Sequence, residues 1–356
     1  MLVKLEDVCN KATSNIMQKN IADHKGAYKI FGATGYIGAV DFYDQEEPYV
    51  AIVKDGAGIG RTFLLPEKTS VINTMQYLLP KGNIIPEYLY YVVQFMHLEK
   101  YFTGSTIPHI YYRDYKNEIF NLVPIDQQIQ IVKKLDKINE LIDNKEKQMK
   151  KIDMIVKSRF IEMFGVYPAN PMGWEIGTIR DIVTEIRYGS SRPAVDGGKY
   201  PYLRMNNITY GGELDLSDTK RIDIPDNELD KCTVRRGDIL FNRTNSKELV
   251  GKTCVYDRDE MMVLAGFVIR IRVKDRILPE FLSAFLNTDF SKKMLLGMCK
   301  TAIGQANINA QELQNIGLYL PPVELQRRFV QFKKETDKSK FECPISLNLL
   351  KLYDIC

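Results

Sequence analysis

Residues 126–164 read DQQIQIVKKLDKINELIDNKEKQMKKIDMIVKSRFIEMF and contain neither glycine nor proline. Apolar side chains recur along this stretch at steps of three and four. Such a period, near 3.5 residues, is typical of the narrow a/d seam of a coiled coil. The predicted seam residues are Ile131, Leu135, Ile138, Ile142, Met149, Ile152, Val156 and Met163, with Lys145 and Arg159 interrupting the stripe. The stretch therefore predicts one long helix with a coiled-coil face.

The residues that flank this stretch are suited to helix ends. Pro124 and Asp126 suit a first turn, because proline lacks the free N–H group and a carboxylate accepts hydrogen bonds from the others. Gly165 suits a left-handed cap, and Pro168 and Pro171 prevent continuation. The helix would span about 58 Å. Two interpretations stay open: a single domain-spanning helix, or half of a two-helix spacer that requires a second helix of the same kind.

The composition is that of a globular protein with more than one domain. The chain has 356 residues, too many for one ordinary core, and no apolar run of the roughly 20 residues that a membrane span needs. The N-terminus MLVKLEDVCN has no apolar core of a signal peptide. Six scattered cysteines without a CxxC pair and three histidines argue against a zinc or disulfide framework and favour the cytoplasm. The net charge of +4 permits an anionic partner without requiring one.

The sequence contains an internal repeat, which outweighs the other signals. Both copies close with a strand-like run, a proline, an acidic residue and a glutamine before a helix: IFNLVPIDQQ at 119–128 and IGLYLPPVELQ at 316–326. Earlier in each copy stand a helix opener, IPEYL at 85–89 against LPEFL at 278–282, and a GRT or GKT tripeptide at 60–62 and 251–253. The order is therefore domain, helix, domain, helix.

These repeats set the predicted boundaries of a mixed α/β protein. The first globular domain covers residues 1–124, the central helix 125–165, the second domain 166–321 and a C-terminal helix 322–356. Pro344 predicts a break in that last helix near residues 342–344, because an internal proline removes a hydrogen bond and clashes with the preceding turn.

The ordered motifs resemble the specificity (S) subunits of type I restriction–modification systems. The resemblance rests on the repeat order, the proline-plus-glutamine helix entries, and four short phrases: GSTIPHI at 104–110, GQANIN at 304–309, NPMGW at 170–174 and DKSKF at 337–341. It implies two target recognition domains separated by two long helices that form an antiparallel coiled coil. Each domain would read one half of a split duplex DNA sequence, with the helices as a ruler between the halves.

The resemblance also implies partners and cofactors. Methyltransferase (M) subunits would dock on the helices, and restriction/translocase (R) subunits would join to form the restricting enzyme. S-adenosylmethionine, ATP and Mg would belong to those partners, so the chain itself is expected to be non-catalytic and without a cofactor, a metal or a membrane contact.

Motifs for independent catalysis are incomplete. The tripeptide at 251–253 resembles the end of a P-loop, but Ser246 replaces the required glycine. The glycines at 56, 58 and 60 do not form GxGxxG and indicate a turn between strands. The NPMG run at 170–173 differs from an amino-methyltransferase loop in its third and fourth residues.

The remaining polar groups suit DNA, because Arg and Lys pair with guanine, Asn pairs with adenine, and hydroxyl groups hold phosphate. The first-domain candidates are Lys29, Thr34, Tyr36, Lys54, Arg61, His109, Tyr111, Tyr112 and Arg113. The second-domain candidates are Arg204, Asn206, Asn207, Asn242, Arg243, Asn245, Lys247, Lys252, Gln305, Asn307 and Asn309. The alternatives are a coiled-coil interaction scaffold without a DNA role and an inactive copy of a specificity subunit.

Overall fold

The computed structural model describes residues 1–104, 107–302 and 305–341. Their contacts form two compact units, the first containing Met1–Lys145 and the second beginning at Glu146. Each unit mixes strands with helices, as the sequence predicted. Within the described residues, no helix has the length and apolar character needed to cross a membrane.

The first unit contains two main sheets and a small strand pair. Its strands are β1 (Leu2–Lys4), β2 (Cys9–Thr13), β3 (Tyr28–Gly32), β4 (Gly35–Val40), β5 (Tyr49–Val53), β6 (Thr62–Leu65), β7 (Ser70–Val71), β8 (Met75–Pro80) and β9 (Ile119–Asn121). Its helices are α1 (Leu5–Val8), α2 (Pro86–Phe95), α3 (Tyr112–Tyr115) and the start of α4 (Ile125–Phe164), with 3-10 turns at Gln18–Asp23 and Leu98–Tyr101.

The main sheet of the first unit has the antiparallel order β2-β8-β5-β6. Every residue of β5 is buried, because apolar clusters cover both faces: Val50 and Ile52 face the cluster that contains Leu89 of α2, and Ala51 faces a second cluster. The other sheet has the order β4-β3-β7, in which β3 and β7 are parallel. β1 pairs antiparallel with β9.

The second unit repeats this plan with additions. Its strands are β10 (Ile176–Thr178), β11 (Val183–Tyr188), β12 (Tyr200–Leu203), β13 (Lys220–Ile222), β14 (Thr233–Val234), β15 (Ile239–Asn242), β16 (Thr244–Asn245), β17 (Thr253–Val255), β18 (Met262–Leu264), β19 (Val268–Val273), β20 (Lys300–Ala302), β21 (Gln305–Asn307) and β22 (Gly317–Tyr319). Besides the end of α4, its helices are α5 (Ile179–Ile182), α6 (Asp226–Cys232), α7 (Pro279–Leu286), α8 (Asp289–Met298), α9 (Ala310–Gln314) and α10 (Val323–Phe341), with a 3-10 turn at Met205–Asn207.

The sheet order of the second unit matches that of the first. The main sheet is β11-β19-β15-β17, the second sheet is β13-β12-β18-β14 with β12 and β18 parallel, and β10 pairs with β22. The addition nearest to the candidate residues is a three-stranded sheet, β16-β21-β20.

The glutamine at each helix entry makes the same three hydrogen bonds in both units. Buried Gln128 accepts the Ile85 N–H at 3.0 Å and donates to the Asn83 and Val123 carbonyls at 3.0 and 2.8 Å. Buried Gln326 accepts the Leu278 N–H at 2.8 Å and donates to the Arg276 and Pro321 carbonyls at 3.1 and 2.8 Å. These bonds join the start of the long helix to the helix opener, which explains why the sequence repeats both motifs.

The repeated tripeptide is a turn with one conformation in both units. Gly60 and Gly251 each have a φ of 80°, which favours glycine. The Thr62 and Thr253 hydroxyls each donate to the carbonyl of that glycine at 3.1 Å. The turn joins two strands, so the P-loop interpretation is excluded by backbone geometry as well as by sequence.

The 40-residue helix α4 contributes to the core of each unit with a different end. Ile131 and Leu135 pack in the first-unit core, whereas Val156 and Met163 pack against the second-unit core. Between them, Ile138, Ile142, Met149 and Ile152 are half-buried, and most of their neighbours along the helix are exposed. The helix ends at Gly165, whose φ of 81° is the predicted left-handed conformation.

The start of helix α10 packs against the last turns of α4 within the second unit. Phe329, near the start of α10, lies 5.2 Å from Phe160 and 5.7 Å from Phe164 between ring centroids. Phe332, one turn later, receives the Arg159 guanidinium at 5.7 Å. A second helix therefore exists, as the two-helix interpretation requires. The predicted break near Pro344 lies outside the described residues.

Candidate nucleic-acid interface

Each unit has the same backbone arrangement, which we call the frame, at the end of its central strand. The carbonyl of Lys54, which follows β5, accepts the N–H of buried Ile110 at 2.9 Å. The carbonyl of Arg243, which follows β15, accepts the N–H of buried Ile308 at 2.9 Å. Lys54 and Arg243 are thus equivalent positions, and residues 109–111 correspond to 307–309.

In the first unit this frame carries an ion pair and an aromatic stack. His109 Nδ1 lies 2.6 Å from Asp55 Oδ1, and Lys54 Nζ lies 3.9 Å from Asp55 Oδ2. The His109 ring stacks on Tyr111 at 6.3 Å between centroids, and the Arg113 guanidinium covers the Tyr111 ring at 4.9 Å. We call Asp55, His109, Tyr111 and Arg113 the first-unit face. Tyr111 and Arg113 are exposed and Asp55 is half-buried, so the face offers a cation and, in part, a carboxylate to a partner.

The other first-unit candidates have different surroundings. Lys29, Thr34 and Tyr36 are exposed around the turn between β3 and β4, and Arg61 donates to the Ala33 carbonyl in that turn at 2.7 Å. Tyr112 packs instead against the first-unit core and lies edge-on to Tyr115 at 5.5 Å. Tyr112 is therefore half-buried against the core, and its contact with DNA stays a prediction.

In the second unit the frame carries an oriented arginine. Arg243 Nη2 donates to Asn307 Oδ1 at 2.9 Å, and the guanidinium lies 4.9 Å from the centre of the Tyr188 ring. Asn245 is half-buried on β16, and Lys247 is exposed in the following turn. We call Tyr188, Arg243, Asn245 and Asn307 the second-unit face.

Three second-unit candidates are buried, and two of them donate to backbone carbonyls. Asn207 donates to the Asp215 and Asp218 carbonyls at 2.8 and 3.1 Å, and Lys252 donates to the Met205 carbonyl at 2.8 Å. Burial also lowers the pKa of Lys252. Asn242 is fully buried at the end of β15. All three side chains lie below the surface, and their contact with DNA stays a prediction.

The remaining candidates are placed near these faces or held by local bonds. Arg204 is half-buried and pairs with Asp218 at 2.8 Å, whereas its neighbour Asn206 is exposed. Asn309 caps α9 by accepting the Glu312 N–H at 2.9 Å. The backbone of Gln305 lies in β21, and its side chain lies outside the described part of the chain.

Two face residues escaped the sequence analysis. Asp55 lies beside Lys54, just after β5. Its position between a buried strand and a glycine turn is typical of a surface side chain on a rigid frame, and this pattern could have indicated it. Tyr188 ends β11, and only folding brings it to Arg243, so no local pattern indicates its role.

Comparison with known proteins places this architecture in a family. The family model described as "Type I restriction modification DNA specificity domain" matches residues 1–154 and 171–343, so both units are included. The chain belongs to this family.

Individual members of the specificity family are distant in sequence. The type I restriction enzyme MjaVIII specificity subunit of Methanocaldococcus jannaschii is 27% identical over 316 residues, which cover 81% of this chain and 72% of that protein. The type I restriction enzyme EcoKI specificity subunit of Escherichia coli is 25% identical over 224 residues, or 58% of this chain. The match spans about half of that relative's length, 48%.

The fold of the specificity family is also recovered in a solved structure. The crystal structure of the type I restriction–modification S subunit from M. genitalium aligns with a TM-score of 0.54 over 100% of this chain and 94% of that one. At 15% sequence identity this likeness establishes the fold alone.

Proposed function

We propose that this chain is the DNA-recognition subunit of a type I restriction–modification complex. Residues 1–124 would read one half of a bipartite duplex target and residues 166–321 the other half. The helices in 125–165 and 322–356 would form the antiparallel coiled-coil spacer and dock the methyltransferase subunits.

The observation that carries the proposal is one frame with unlike side chains. Lys54 and Arg243 are equivalent in backbone hydrogen bonding, and so are His109 and Asn307, yet the first-unit face is an Asp–His pair and the second-unit face an Arg–Asn pair. A shared frame that presents different donors and acceptors is suited to reading two different base sequences.

The chain would recognise DNA without catalysis of its own. S-adenosylmethionine, ATP and Mg would belong to the methyltransferase and restriction/translocase partners. The names of the curated relatives, which are specificity subunits, support this division of roles.

Exchange of one recognition half tests the proposal. The chain is co-produced with its methyltransferase subunit, and methylated sites are mapped for the wild type and for a chimera in which residues 1–124 come from another specificity subunit. We expect one half of the site to change and the other to stay. The matched control replaces residues 166–321 and should change the opposite half. A change in both halves, or in neither, contradicts one unit per half-site.

Salt dependence separates DNA recognition from a purely scaffolding role. Phosphate contacts release counterions, so the affinity of the complex for its mapped site should fall steeply with salt. Arg113→Gln should reduce the slope of log affinity against log salt by about one if Arg113 holds a phosphate. A coiled-coil scaffold predicts no salt-dependent DNA binding even with the partner subunits present.

A further inference from the structure

The backbone around Arg243 is held by hydrogen bonds on both sides. Its N–H donates to the Phe267 carbonyl at 3.0 Å, and its carbonyl accepts the Ile308 N–H at 2.9 Å. The next residues form β16, which pairs with β21 and places Thr244 opposite Asn307. The side chain of Arg243 therefore starts from a rigid base, which precise recognition requires.

The guanidinium of Arg243 is held on one face and at one nitrogen. Tyr188 covers the face at 4.9 Å, and Asn307 Oδ1 accepts from Nη2 at 2.9 Å. Tyr188 is fixed in turn, because its hydroxyl accepts the Ala310 N–H at 2.8 Å. Such contacts leave donors in the guanidinium plane for a further acceptor while limiting the rotation of the side chain.

Arg243 is oriented by a neutral amide, as Arg180 is by Asn315, and not by a carboxylate. Many other arginines in this unit pair with a carboxylate: Arg159, Arg187, Arg192, Arg204, Arg236, Arg258, Arg270, Arg272 and Arg276. The acceptor that orients Arg243 is a neutral amide. An amide fixes direction without neutralising the cation, so the attraction for an electronegative base edge is retained.

These features match guanine better than other bases. Guanine offers two acceptors, O6 and N7, on one major-groove edge, and a planar guanidinium donates to both. The equivalent first-unit residue, Lys54, is a single-point donor whose ammonium lies 3.9 Å from Asp55. The two units should therefore differ in their preference for guanine at this position.

We propose that Arg243 reads a guanine in the half-site of the second unit, with Tyr188 and Asn307 as its positioning residues. This inference rests on the proposed function, since it names a base contact within the same recognition role. It goes further by assigning one side chain, one base and the two groups that set the geometry.

The test is site mapping with the full chain and its methyltransferase partner. Arg243→Lys keeps the charge but loses the bidentate geometry, so discrimination for guanine over the other bases should fall about 5- to 150-fold at one position of the second-unit half. The other half of the site should be unchanged. Arg258→Lys, at an exposed arginine paired with Asp257, is the matched control and should leave the profile unaltered.

Two further variants keep the inference open to refutation if Arg243→Lys fails to fold. Asn307→Ala and Tyr188→Leu should weaken guanine discrimination at that same position, an effect that a general loss of stability does not produce. An unchanged guanine preference in the folded variants overturns the inference, as does a second-unit half without a G·C pair. In either case wild-type methylation of a two-part site still supports the proposed function, whereas the absence of such a site in the wild type refutes that function itself.

Discussion

Replacement of Gln326 by methionine should destabilise the second unit by about 3–5 kcal/mol. Methionine has nearly the same volume but can neither accept the Leu278 N–H nor donate to the Arg276 and Pro321 carbonyls. A fully buried group left unsatisfied costs about 1–3 kcal/mol, which applies to the Pro321 carbonyl. The other two bonds are partly buried and contribute about 1 kcal/mol each.

Urea denaturation followed by fluorescence measures this loss in the correct unit. The single tryptophan, Trp174, lies in the second unit and donates to the Phe164 carbonyl at 3.2 Å, so its emission reports on that unit. With a urea dependence of about 2 kcal/mol per molar, the midpoint should fall by about 1.5–2.5 M. Gln331→Met, at an exposed position of the same helix, is the control and should shift the midpoint little. Equal midpoints for the two variants would refute the assigned role of Gln326.

Two further predictions concern backbone conformation and buried charge. Gly60→Ala should lower the free energy of unfolding by about 1–3 kcal/mol more than Gly56→Ala, as measured by urea denaturation followed by circular dichroism. Both glycines have a positive φ, but only a methyl group at Gly60 would lie 2.8 Å from the Glu99 nitrogen. Equal losses of stability in the two variants would contradict this reasoning. Glu185→Gln should cost about 3–5 kcal/mol, because Arg270, 2% exposed, loses its carboxylate, whereas Glu175→Gln at an exposed ion pair should cost about 0–1 kcal/mol. Burial raises the pKa of Glu185, but Arg187, Arg270 and Arg272 outweigh it and hold the pKa below its ordinary value. The stabilisation by ionised Glu185 is therefore present at neutral pH and is lost as the pH falls from about 4.5 through the lower pKa of the folded state. Between pH 3 and 6, the unfolding free energy of Glu185→Gln should depend less on pH than that of the wild type. An unchanged pH dependence would contradict this assignment.

The long helix and the repeat could be predicted because their signals are local. The stripe from Ile131 to Met163 needs only the spacing of apolar residues, and the turn at Gly251 repeats the conformation of Gly60. The repeated phrases point to the two glutamines, but the hydrogen-bond partners of these glutamines can be identified only from the folded structure. Their partners in the helix openers lie more than 40 residues away in the chain.

The candidate interface was only partly predictable, because exposure is set by tertiary packing. Asn207, Asn242 and Lys252 have the right chemistry for DNA and follow strands or turns, yet the second-unit core encloses them. Arg243 lies between such residues in sequence and is only half-buried, which no local pattern indicates. The contribution of Tyr188 depends on a contact with a residue 55 positions later.

The pairing of β1 with β9, and of β10 with β22, has an evolutionary consequence. In each unit the first and last strands lie side by side, with Leu2 opposite Asn121 in one and Ile176 opposite Tyr319 in the other. The chain therefore enters and leaves each unit at adjacent points. Recombination can therefore replace the whole segment between those strands while the path of the remaining chain stays the same. A new sequence preference can then be acquired together with that segment.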